Sequence, residues 1–268
     1  MTTTTQTLGT AARLGPSTLV ITRRSLLKFW RTPQLVLLGT AQGAIFLLIY
    51  RYVFGGAIGI PGVPYVDFLV PGFLATLVLY AGMGTATGVA EDMHAGFIDR
   101  LRSLPIPRSS VLAARALSDT AQTVWALAVT AAIGFAIGFH FHGSIAAALG
   151  AFVLCVVFGF AFEWMFIALG ALAGNAQAAQ GIGFLVFPLT FLSSAYVPVE
   201  TMPGWLQAFA KYQPVTMMVD AVRALALGPR AAALLGHSAA WYVTVSLLWA
   251  AGFVAVFAPL AVARFRRA

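Results

Sequence analysis

Residues 145–173, IAAALGAFVLCVVFGFAFEWMFIALGALA, contain one charged side chain, Glu163. A bilayer core is crossed by roughly 20 apolar residues in helical form, so this stretch is long enough to span a membrane and to tilt or project beyond it. Five further runs have the same character, at about 34–54, 66–90, 110–139, 179–199 and 239–262. The totals agree. The 268-residue chain is 60% hydrophobic and 9% charged, with a mean hydropathy of +0.89, whereas a soluble domain is about half apolar and a quarter charged. The expected fold is therefore an all-α membrane protein with six transmembrane helices. Residues 1–16 have no apolar core. They read as a disordered cytoplasmic tail rather than a signal peptide, ahead of one transmembrane domain over 17–268.

The net charge of +8 points to an excess of Lys and Arg held on the cytoplasmic side, not to nucleic acid. Threading the chain through six spans sorts these residues into two groups. Arg13, Arg23, Arg24, Lys28, Arg31, Arg100, Arg102, Arg108, Arg115, Arg264, Arg266 and Arg267 fall on one side, and Arg51, Lys211, Arg223 and Arg230 on the other. The split of 12 to 4 places both termini and residues 91–110 in the cytoplasm and residues 200–238 outside, with the protein in the inner membrane as a multi-pass chain.

Three segments between or before the spans carry structure of their own. In 18–31, Leu19, Leu26, Phe29 and Trp30 share one helical face and Arg24, Lys28 and Arg31 the opposite one. This is either an interfacial amphipathic helix on an anionic leaflet or a basic flank orienting the first span. Thr32-Pro33 ends it. In 91–110, EDMHAGFIDRLRSLPIPRSS, an apolar stripe of Met93, Phe97, Leu101 and Leu104 has spacings of 4, 4 and 3, with Glu91, Asp92, Asp99, Arg100 and Arg102 mostly off it. Pro105 and Pro107 stop it, and Ser109 or Ser110 is placed to cap the next helix. This is either a solvated loop or a helix that docks a cytosolic partner. Residues 200–238, with Pro203-Gly204-Trp205 and an apolar run to Arg223, fit an external surface or re-entrant helical hairpin.

Several chemistries are excluded. Neither lysine, Lys28 or Lys211, sits in Gly-Lys-Ser/Thr, so the chain has no P-loop. No HExxH or GxSxG occurs, and one cysteine, Cys155, rules out an intrachain disulfide or a cysteine metal cluster. His140-x-His142 is a poor metal pair, and no metal is expected. Gly39/Gly43, Gly84/Gly88, Gly134/Gly138 and Gly170/Gly174 form GxxxG pairs that bear on packing alone. Glu163 stands apart, because a carboxylate at that depth must be paired, protonated or facing water. It is either a cavity-facing acid on a substrate or proton pathway, or a structural partner of a polar residue such as Gln42. Arg115 and Asp119, at i and i+4, are expected to pair.

EDMHAGFIDRLRSLPIPRSSVLAARALSD resembles the cytoplasmic loop of ABC type-2 exporter permeases, and FPLTFLSSAYVPVETMPGWLQAFAKYQPVTMMVDAVRAL resembles their fifth span and external hairpin. The chain is most similar to the daunorubicin-resistance-like type, over about residues 17–267. The turn GNAQAAQ departs from the charged turn often found there. The resemblance implies a permease subunit of an ATP-driven exporter, without catalysis of its own, moving a hydrophobic or amphipathic drug, antibiotic or lipid. It implies a second permease chain, identical or not, and two copies of a cytosolic ATPase that bind ATP and Mg. Glu91, Asp92, Met93, Phe97, Asp99, Arg100, Leu101, Arg102 and Leu104 would then contact that ATPase. The rival reading is a proton-driven secondary transporter relaying through Glu163. It expects more intramembrane acids and an internal repeat, and the sequence displays one such acid and no clear repeat.

Overall fold

The computed structural model describes residues 14–60, 62–94 and 108–267. These residues are almost entirely helical. The first helices are α1 (Leu14–Trp30), α2 (Pro33–Ile49), α3 (Tyr65–His94), α4 (Arg108–Ala136), α5 (Ile145–Ala173) and α6 (Ala176–Phe191). They are followed by α7 (Gly204–Ala210), α8 (Pro214–Leu227), α9 (Ala231–Leu235) and α10 (Ala239–Arg267). A π-helical turn, Tyr50–Phe54, continues α2.

The boundaries have local causes. Pro33 lies in the first turn of α2, where its missing N–H is not needed. Ser144 caps α5, its Oγ accepting from Ala147 N at 3.1 Å. Gly174 ends α5 in the left-handed region at φ 76°, and Asn175 caps α6 by accepting from Ala178 N. Ser109 and Ser110 lie in the first described turn of α4.

Helices α3 and α5 form the centre, with α4, α6, α8 and α10 packed around them. Backbone contact brings the two central helices together: a Cβ on Gly170 would stand 2.3 Å from the Ala86 carbonyl oxygen, so no larger residue fits that crossing. A second apolar cluster joins Val89, Leu112, Ile167 and Phe265 at the opposite end from the α4–α5 turn. The outer faces are apolar too, with Ile145, Leu149 and Val153 of α5 and Leu248 and Val256 of α10 exposed. A helix apolar on all sides suits a lipid surround.

Helices α3, α5 and α10 (Ala239–Phe265) are long and apolar enough to cross a bilayer, and Thr40–Phe54 and Ala176–Phe191 are shorter apolar helices. The expected third span lies in α4, which has the length, but its sequence includes Arg115 and Asp119. The expected fifth span, 179–199, is cut short at Phe191. Pro188 weakens the ladder there, and the chain then unwinds so that the Ser194 and Ala195 carbonyls accept from Arg223.

Candidate functional site: a two-ended cavity in the helix bundle

A cavity of about 820 Å³ opens among α1, α2, α3, α4, α5 and α6. Helical spacing builds its walls. On α3, Phe73, Leu77, Tyr80 and Gly84 face it, and on α4, Arg115, Ser118, Asp119, Gln122 and Ala126. Steps of three and four place each set on one face. The volume is that of a drug-sized pocket.

One end is charged. Arg115 Nε donates to Asp119 Oδ2 at 2.7 Å, and Arg115 Nη1 to Asp92 Oδ2 at 3.0 Å. Thr85 Oγ1 donates to Asp119 Oδ2 at 2.8 Å and Gln122 Nε2 to Asp119 Oδ1 at 3.3 Å. The expected Arg115–Asp119 pair is thus present, and it extends across to α3. Gly88 makes room for it, since a Cβ there would lie 2.2 Å from Arg115 Nη2. Glu163 enters from α5, 1% exposed, with Asp119, Thr85 and Arg115 as its electrostatic neighbours. Its Oε2 has no hydrogen-bond partner among the described residues. Gln42 lines the same cavity.

The other end is aromatic, with a network of hydroxyls beside it. Tyr196 stacks on Tyr50 with ring centres 4.5 Å apart, and the π-helical turn sets Tyr50 at that position. The Tyr196 hydroxyl lies 2.9 Å from Tyr80 Oη and 3.1 Å from Thr76 Oγ1, and Tyr80 Oη lies 2.8 Å from Thr190 Oγ1. Phe187 and Phe191 complete the wall.

Helix α1 packs along α4, with Ser25 and Phe29 at the cavity. Thr22 Oγ1 donates to Ala114 O at 3.4 Å, and Trp30 meets Trp125 edge-on at 4.8 Å. Leu19, Val20 and Leu27 are exposed, as are Arg24 and Arg31. The Thr18, Thr22, Ser25 and Phe29 face therefore docks on the bundle, while Leu19 of the expected apolar face points away from it.

Glu91, Asp92 and Met93 continue α3 in its last described turns. Phe97, Asp99, Arg100, Leu101, Arg102 and Leu104 lie outside the described residues, as does the side chain of Lys28.

Sequence reading missed two buried networks. Arg223, counted above as an external charge, is 0% exposed. It pairs with Asp220 at 2.9 Å, donates to the Phe68, Ser194 and Ala195 carbonyls, and lies 3.6 Å from the Phe68 ring centre. Ser194 Oγ donates to Asp220 Oδ1 at 2.6 Å. The i, i+3 spacing of Asp220 and Arg223 in an apolar run was the available signal. Asp67 is also buried, bonded by His140 N and by His142 Nε2, both at 2.8 Å. His142 thus belongs to a carboxylate, and among the described residues no three His, Cys, Asp or Glu side chains converge as a metal site. The expectation of a single buried acid is corrected: Asp67 and Asp220 join Glu163 inside the bundle.

Residues 16–227 match the ABC-2 type transporter family. The chain is 35% identical over 244 residues to a daunorubicin resistance ABC transporter permease protein of Streptomyces coeruleorubidus, covering 91% of this chain and 83% of the relative. It is 27% identical over 268 residues to a protein of Mycobacterium tuberculosis described as a "probable doxorubicin resistance ABC transporter permease protein", covering 96% and 91%. A "probable multidrug ABC transporter permease" of Escherichia coli K12 is 28% identical over 171 residues, 62% of this chain and 45% of that protein. A helical bundle apolar on its outside, enclosing a cavity, and matched to this family over most of its length is an integral membrane protein: the chain belongs to the ABC-2 type transporter family of permeases.

Proposed function

We propose that the chain is the permease subunit of an ATP-driven exporter that carries hydrophobic or amphipathic compounds out across the cytoplasmic membrane. The observation that carries this reading is the cavity, charged at one end and aromatic at the other, inside a bundle of this family. Six spans cross the bilayer, formed by α2 with its π turn, α3, α4, α5, α6 and α10. Both termini and the 91–110 segment are cytoplasmic. With Arg115 and Arg223 drawn into the bundle, the remaining Lys and Arg still divide eleven to three in favour of that orientation.

In this reading a separate cytosolic ATPase, in two copies, binds ATP and Mg and docks on Glu91, Asp92, Met93 and the segment through Phe97, Asp99, Arg100, Leu101, Arg102 and Leu104. A second permease chain completes the transporter, and Glu163 lies on the substrate pathway. Helix α1, with Arg24, Lys28, Trp30 and Arg31, rests at the cytoplasmic interface. ATP-driven closure of the ATPases moves α3 and α4 as levers, and the cavity changes its exposure. Co-purification with a P-loop ATPase encoded beside this chain, followed by a search for compounds that raise its ATP hydrolysis, tests the reading. A permease that binds no such ATPase would oppose it.

A proton-driven transporter is a second reading. It is favoured by one observation, the additional acids inside the bundle, with Asp119 and Glu163 both at the cavity.

A further inference from the structure

At the charged end of the cavity, three carboxyls surround one guanidinium. Arg115 is engaged by Asp92 and Asp119, and Asp119 also accepts from Thr85 and Gln122. Glu163 is the carboxyl left over: it lines the cavity, it is 1% exposed, and its Oε2 has no partner among the described residues. Burying such a group is unfavourable in a low-dielectric interior; the negative charge of Asp119 adds to that, and Arg115 and Thr85 offset only part of it. A positive charge delivered into the cavity relieves both.

The rest of the cavity constrains what carries that charge. Phe73, Leu77, Tyr80 and Tyr196 lead away from Glu163, and they match an apolar body, not a hydration shell. Aromatic faces also attract organic cations. An anion would meet the carboxyls, and a neutral molecule would bring no charge to match them.

We propose that Glu163, with Asp119 beside it, is the subsite for the ammonium or onium group of an amphipathic organic cation, whose apolar body lies along Phe73, Leu77 and Tyr80. This deepens the exporter reading by naming the charge that the pathway selects, and it rests on that reading for its biological meaning.

The test uses the purified full-length permease in lipid nanodiscs. The probes are tetraphenylphosphonium and its anionic counterpart tetraphenylborate, which are close in size and shape. Binding is followed by quenching of tryptophan fluorescence, since Trp125 lines the cavity. The wild type is expected to bind the cation at least tenfold more tightly than the anion. Glu163→Gln is expected to lose at least tenfold in cation affinity, about 1.4 kcal/mol, and nothing for the anion. Glu163→Asp should retain most of the cation affinity.

A measurement without any variant guards against misfolding: modification of Glu163 by a hydrophobic carbodiimide, mapped by mass spectrometry, should be slowed by the cation and not by the anion. Equal binding of the two ions, binding of neither, unchanged cation affinity in Glu163→Gln, or no protection of Glu163 would each overturn the subsite. No ATPase takes part. A failure here therefore leaves the exporter reading standing, and a failed export assay leaves this result standing.

Discussion

Arg115 Nη1 lies 3.0 Å from Asp92 Oδ2, joining α4 to the last turn of α3. The same guanidinium holds Asp119 at the cavity. One side chain therefore links the cavity lining to the last described turn of α3.

We predict that Asp92→Asn lowers compound-stimulated ATP hydrolysis in the complex while leaving compound binding to the permease within about twofold. Arg115→Ala should do more: it leaves Asp119 without its cation, at a cost on the order of 2 kcal/mol for a part-buried charged hydrogen bond. Melting of each variant in detergent separates the two effects. Equal compound stimulation in Asp92→Asn and wild type would remove the link.

Arg223 should be a stability residue. Truncation to Ala leaves Asp220 buried without its cation and frees the Phe68, Ser194 and Ala195 carbonyls, and breaking a buried pair typically costs about 3–5 kcal/mol. We predict sharply reduced yield of folded Arg223→Ala and partial recovery in Arg223→Met with Asp220→Leu, which removes both charges. Size-exclusion profiles of the extracted proteins read this out. Wild-type behaviour of Arg223→Ala would show that the network is not needed.

The helices were legible because the bilayer imposes a length and an apolarity that sequence displays directly: the run 145–173 is α5, and 239–262 is most of α10. Partners far apart in sequence were not legible. Arg223 and Phe68 are 155 residues apart, and Asp67 and His142 are 75, so neither contact has a local signature. The packing of α1 had no local signature: Thr22, Ser25 and Phe29 turn toward the bundle while Leu19 and Val20 face out. Of the site, Glu163 and the Arg115–Asp119 pair were visible as charges in apolar runs. Tyr50, Tyr80 and Tyr196 were not, since aromatic residues are common in any span.

For the 91–110 segment, we predict that Phe97→Ala with Leu101→Ala uncouples ATP hydrolysis from export without reducing membrane insertion. Their spacing forms an apolar stripe, and losing a buried Phe and Leu from an interface costs several kcal/mol, roughly 2–5 for each. Pull-down of the ATPase and export assays check this. Normal values of both would show the segment to be an ordinary loop.

The proposed topology rests on the division of positive charge. In a Cys155→Ala background, a cysteine placed at Glu200 should react with an impermeant maleimide added to intact cells, and one at Ser109 only after permeabilisation. Labelling of the Ser109 position from outside would reverse the orientation.

The most direct measurement is transport in proteoliposomes containing this permease and its ATPase, loaded either with ATP or with an imposed pH gradient. ATP hydrolysis alone is predicted to move a fluorescent lipophilic cation across the membrane, with no movement when the catalytic glutamate of the ATPase is replaced. Movement driven by the pH gradient without ATP, abolished by Glu163→Gln, would contradict the ATP-driven assignment and favour the proton-driven one.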